Sequence, residues 1–183
     1  MASVQESIEV SVPVSTAYNQ WTQFETFPKF MGGVESVTQL SATSTHWVTS
    51  IGGVKREFDA EITEQHPDER VAWKSTDGES HAGVVTFHRI DDNTTRLMVQ
   101  LDWHPETFSE KIGSVVNADK RQVKADLKRF KEFIEKSGGE SGAWRGDISA
   151  PSSGVSSEAS PANGDLPDLS LDDPESGGPR AGQ

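Results

Sequence analysis

Two side chains stand where burial makes chemistry plausible. Arg56 falls on the apolar phase of its strand, between Val54 and Phe58, while Lys55 and Glu57 take the opposite phase. An inward guanidinium is costly unless paired or solvated. It therefore marks a polar group at a ligand cavity, able to orient a carbonyl, enolate or carboxylate. The competing reading is that Arg56 snorkels to water near the Gly52-Gly53 turn. His81 falls on the inward phase of another strand, ahead of Gly83, Val85 and Phe87. Its imidazole titrates near neutrality and can move a proton in an aldol-type cyclisation or dehydration. Its competing reading is a half-exposed strand end beside Thr76-Asp77-Gly78. Arg56 and His81 are the two candidate catalytic residues.

Other chemistries lack their residues. There is no cysteine, which excludes disulfides, thiolate zinc and a Cys nucleophile. His46, His66, His81, His88 and His104 show no ligand spacing, so no metal is expected, and no cofactor. The glycine pairs Gly32-Gly33 and Gly52-Gly53 lack the Gly-Lys-Ser/Thr of a phosphate loop. No Gly-x-Ser-x-Gly occurs, and the strand carboxylates are nearly all outward, against a glycosidase pair. A formal net charge of -12 disfavours nucleic acid as a partner. No basic and apolar leader opens the chain and no run approaches 18 apolar residues, so integral membrane association is not expected. A cytoplasmic location is.

The elements that must position Arg56 and His81 follow from periodicity. Ser7 to Val12 alternates as a strand. Pro13 ends it, and two short helical segments follow, one with Ala17, Tyr18, Trp21 and Phe24, the other spanning Glu25 to Phe30. Gly32-Gly33 closes this stretch with the backbone freedom of glycine. Val34 to Leu40, Thr45 to Ile51, Val54 to Glu64, Arg70 to Ser75, His81 to Ile90 and Thr95 to Trp103 then read as six strands. The breaks between them are too short for parallel crossovers, so neighbours are antiparallel. A two-residue Gly52-Gly53 turn sets Ile51 opposite Val54, Thr49 opposite Arg56 and Trp47 opposite Phe58. Likewise Phe87 meets Leu97, Val85 meets Val99, Gly83 meets Leu101 and His81 meets Trp103.

The inner face is therefore rich in aromatics: Trp47, Phe58, Trp73, Phe87 and Trp103. Ordinary core accounts for most of them, yet such a wall also suits a flat or greasy ligand. Phe27 and Phe30 would stand at the mouth or end of that pocket. Gly83 leaves room for a ligand or, more simply, for Trp103. A long helix over 107–137 carries Ile112, Val116, Val123, Leu127, Phe130 and Ile134 on one face, and at 1.5 Å per residue it forms a rod of about 40 Å. It must lie on the apolar side of the sheet. Ile112 and Val116, with Gly113, make its smaller, less regular end, where a cavity entrance is expected.

The order strand, two short helices, six antiparallel strands, long helix resembles the helix-grip fold of the START-like (SRPBCC), birch-pollen-allergen-like superfamily. The similarity is greatest to its polyketide cyclase/dehydrase and lipid-transport branch. It is carried by Val12-Pro13-Val14, Trp21, Phe24, Phe27-Pro28-Lys29-Phe30 running into Gly33-Val34, and the Trp103 strand feeding the last helix. The resemblance covers residues 3–136. It implies an α+β domain with a seven-stranded curved antiparallel sheet wrapped around a long C-terminal helix, two short helices between strands 1 and 2, and a hydrophobic cavity between sheet and helix.

Residues 1–137 are thus expected to form the domain. Residues 138–146, with Trp144 and Arg145, are a segment able to fold back, and 147–183 are an acidic tail of disordered composition. Through residue 136 there are 15 Lys+Arg against 21 Asp+Glu; beyond it there are 2 against 8. Residues 165–173 alternate acidic and apolar side chains, as a short protein-binding motif or an incidental solubilising stretch. The expected function is binding of a small hydrophobic molecule such as a lipid, isoprenoid or aromatic polyketide. A polyketide cyclase/dehydrase enzyme and a protein-interaction module acting through the tail are the alternatives.

Overall fold

The computed structural model describes residues 2–77, 81–103 and 112–149, with only the backbone described for Ala2, Trp103 and residues 112–116. The candidate motif at 165–173 lies outside the described residues, as do the side chains of Trp103, Ile112 and Val116.

Seven strands form one antiparallel sheet: β1 (Ala2–Val10), β2 (Val34–Gln39), β3 (Ser44–Ile51), β4 (Val54–His66), β5 (Arg70–Ser75), β6 (His81–Asp91) and β7 (Thr94–Trp103). Their spatial order is β1-β7-β6-β5-β4-β3-β2, a meander from β2 to β7 closed by β1. Helix α1 (Val14–Trp21) and a 3-10 helix (Phe24–Lys29) connect β1 to β2, and α2 (Ile112–Ser137) follows β7. This is the expected helix-grip arrangement.

The register agrees with the hairpin reasoning. Trp47 pairs with Phe58, Thr49 with Arg56 and Ile51 with Val54. His81 pairs with Trp103, Gly83 with Leu101 and Phe87 with Leu97. Gly52 and Gly53 take φ of 60° and 81°, the pair of left-handed residues that a two-residue turn of this kind requires. Gly32 and Gly33 are different, since neither has positive φ. Their smallness serves close approach to α2: a Cβ on Gly33 would sit 2.9 Å from Ile51 Cγ1 and 3.0 Å from Gln122 Cγ.

A bulge between Ile62 and Glu64 re-phases β4. Ile62 points inward, and after the extra residue Gln65 does too, at 1 % exposure. The core itself is uneven. At one end Trp21 meets Phe27 and Phe130 edge-on, each at 5.3 Å, and Phe87 at 6.3 Å. Tyr18, Val10, Leu127 and Ile134 complete this solid part. The other end, under β3 to β6, is hollow.

Residues beyond α2 run back across α1. Glu140 accepts a hydrogen bond from Asn19 Nδ2 (2.9 Å), the Ser141 N–H donates to Gln20 Oε1 (2.8 Å), and the Trp144 N–H donates to Thr22 Oγ1 (3.0 Å). Arg145 reaches Asn19 (2.8 Å) and both carboxylate oxygens of Asp68. Ile148 then exchanges two backbone hydrogen bonds with Gln65. Backbone pairing thus extends to Ile148, two residues past the composition boundary at 146. It also explains why Asn19 and Gln20 are buried on α1: their amides hold this returning segment. Among the described residues no helix is long and apolar enough to cross a membrane.

Candidate functional site

A cavity of about 430 Å³ lies between the inner face of the sheet and α2. That size suits a small organic ligand. Its apolar wall is built by Trp47, Phe58, Trp73, Ile62, Val71, Val99 and Leu101 from the sheet, with Phe24, Phe27 and Met31 from the connection between β1 and β2. Trp47 and Phe58, paired across β3 and β4, stack at 6.2 Å with 9° between their planes. Trp47 Nε1 donates to Thr45 Oγ1 at 2.8 Å, which satisfies the indole and fixes its tilt. Phe27 packs on Trp47 at 5.7 Å, its ring tilted by 59°.

Polar groups gather where β4 and β6 face α2. Arg56 does point inward. Its side chain is about one-quarter exposed, and its Nη1 lies 3.9 Å from Oδ1 of Asp119, whose side chain is 10 % exposed. His81 meets the edge of Phe58 at 4.2 Å and 88°, and its backbone N–H donates to Ser75 Oγ at 3.0 Å. Burial pushes the His81 imidazole below its ordinary value, and the positive charge of Arg56 pushes it further. The shift favours the neutral imidazole, the form able to accept a proton.

Helix α2 contributes groups that the sequence reading did not single out. Asp119, Gln122 and Asp126 line the cavity beside Val123 and Leu127. Asp126 Oδ1 accepts from the Gly32 N–H (2.8 Å), Gln122 Nε2 (2.7 Å) and Arg129 Nη1 (3.1 Å). Burial raises the pKa of this carboxyl, and its three donors oppose the shift. The signal was available: Asp119, Val123, Asp126 and Phe130 follow steps of four, three and four, which set both aspartates on the apolar stripe.

Of the residues singled out from sequence, Phe27, Trp47, Arg56, Phe58, Trp73 and His81 come together on the cavity wall. Phe30 and Phe87 sit instead in the filled part of the core. Phe30 packs on Phe130 and Phe133 at 5.2 Å, and Phe87 on Tyr18 at 5.5 Å. Gly83 makes room for Trp73: a Cβ there would collide with the Trp73 indole and approach Leu101 Cδ2 at 2.9 Å. His46, on the outward face, bridges Glu57 (3.1 Å), at the exposed rim of the cavity, and Asp59 (2.5 Å). Among the described residues no cluster of His, Asp or Glu could hold a metal ion.

Comparison with known proteins agrees with this fold. Residues 10–132 match the family model described as polyketide cyclase/dehydrase and lipid transport. A 17.2 kDa uncharacterized protein from the melC2-rnhH intergenic region of Streptomyces lincolnensis is 62 % identical over 149 residues, covering 81 % of this chain and 99 % of the other. A START superfamily protein from Mycobacterium smegmatis superposes with a TM-score of 0.67 at 14 % identity, covering 75 % of this chain and 99 % of that one. The Zhui aromatase/cyclase from Streptomyces sp. R1128 gives 0.64 at 14 % identity, covering 78 % and 98 %. At such identities these two structures establish a shared fold only.

Proposed function

The chain belongs to the polyketide cyclase/dehydrase and lipid transport family, and from that premise we propose that it binds a small hydrophobic molecule in the cavity between sheet and α2. Lipid, isoprenoid and aromatic polyketide skeletons all fall within this reading. The observation that carries it is the aromatic wall of Trp47, Phe58 and Trp73, which borders a cavity of about 430 Å³ beside an otherwise filled core. Burying a ligand there removes apolar surface from water on both partners, at roughly 25 cal/mol per Å² before the costs of association. Native mass spectrometry of the purified protein should show a retained apolar molecule, and Nile red should gain fluorescence on titration and lose it in Trp73→Ala. No retained molecule together with no dye uptake would overturn the reading.

One observation favours catalysis as a second reading: His81 and Arg56 border the same cavity, and the guanidinium helps hold the imidazole below its ordinary pKa. In a cyclisation, the imidazole would take a proton from a carbon α to a carbonyl while Arg56 stabilises the developing enolate oxygen. Arg56→Ala should then abolish turnover of a poly-β-keto substrate while the fold survives.

A further inference from the structure

The cavity's charges point to the class of ligand it takes, an inference that rests on the binding reading above. Every charged group on the described lining already faces an opposite charge or a set of donors. Arg56 faces Asp119 at 3.9 Å, across the space between β4 and α2. At the exposed rim Lys55 pairs with Glu35 (3.2 Å) and Glu57 with His46 (3.1 Å). Asp126 is held by the Gly32 N–H, Gln122 and Arg129. Among the described residues, the carboxyl groups of Asp119 and Asp126 thus border the interior beside one arginine.

We propose that the cavity selects uncharged amphiphiles, with an apolar body against Trp47, Phe58 and Trp73 and a hydroxyl at the Arg56–Asp119 pair, and rejects carboxylates of the same skeleton. A hydroxyl fits both members of the pair, since its oxygen accepts from the guanidinium and its proton goes to the Asp119 carboxylate. A ligand carboxylate has no proton to give. It must compete with Asp119 for Arg56 while surrendering its own hydration, and it places a further negative charge beside Asp119 and Asp126. A carbonyl satisfies Arg56 without that repulsion and ranks between the two.

The test uses 2-naphthol and 2-naphthoate, one ring system carrying either a hydroxyl or a carboxylate, titrated calorimetrically into the full-length protein at neutral pH. The wild type should bind 2-naphthol roughly tenfold tighter or more. Asp119→Asn removes the compensating charge and should shrink or invert the ratio. Arg56→Gln leaves Asp119 in place and should widen it. A variant that merely loosens the fold weakens both ligands alike and leaves the ratio unchanged, which would overturn the proposal. Equal binding of the pair by the wild type, or preference for 2-naphthoate, would overturn it too while leaving the binding reading standing. Failure of the wild type to bind either probe would count against both.

Discussion

The indole of Trp73 occupies the space that a side chain at Gly83, its cross-strand partner on β6, would need. The wall of the cavity therefore depends on a residue that contributes no atoms to it. Gly83→Val should drive Trp73 off its seat and into the cavity. The expected result is a loss of about 1–3 kcal/mol of stability from overpacking, together with weaker dye uptake. Thermal denaturation and Nile red titration check both, and undiminished uptake would show that Trp73 does not border the binding space.

Of the three donors that converge on Asp126, the Gly32 N–H ties α2 to the Gly32-Gly33 corner, while Gln122 and Arg129 hold the carboxylate from α2 itself. Asp126→Ala leaves the Gly32 N–H and the Gln122 amide without their carboxylate acceptor, at a cost of about 1–3 kcal/mol. Asp126→Asn keeps an acceptor oxygen and should cost less. Chemical denaturation of the two variants measures the difference.

His66 sits between Asp147 Oδ2 (2.7 Å) and Glu64 Oε1 (3.1 Å), and its pKa is raised chiefly by the hydrogen bond to Asp147. A raised imidazole stabilises the fold most below its unfolded value, about 6.5, and the contribution fades as pH rises through the folded value. The stability gap between wild type and His66→Asn should accordingly be larger at about pH 6 than at about pH 9. A gap independent of pH would mean that the pair adds nothing electrostatic.

His81 should behave with the opposite sign. Its folded pKa lies below the unfolded one, so the unfolded chain binds the proton first and stability falls as pH drops below about 6.5. Replacing His81 with Gln should flatten that acid limb. NMR titration of the ring protons in the folded protein checks the direction independently.

Arg145 clamps the returning segment through Asp68 and Asn19 and lies 5.6 Å from the centre of the Tyr18 ring. Much of the pair is solvated, so Arg145→Ala should cost about 1 kcal/mol or less globally. The local effect is larger. Hydrogen exchange of the Gln65 and Ile148 amides, which pair with each other, should speed up well before that of the Trp21–Phe130 core.

Alternation and turn chemistry determined, from sequence alone, the boundaries of β2 to β7 within two residues, the cross-strand partners from Trp47 to Phe58 and from His81 to Phe87, and the inward phase of Arg56; β1, expected over Ser7 to Val12, runs instead from Ala2 to Val10. Those features are local: a two-residue turn fixes a register, and a register fixes faces. Where the aromatics leave space was not local. Phe58 and Phe87 read alike in sequence, yet Phe58 borders a cavity while Phe87 lies against Tyr18 and Trp21. The difference is decided by which partner α1 and α2 bring over each end of the sheet. The same holds for Asp119, whose meaning comes from Arg56, 63 positions earlier in the chain and 3.9 Å away. Periodicity tells which way a side chain points; only the packing of distant elements decides what, if anything, it meets there.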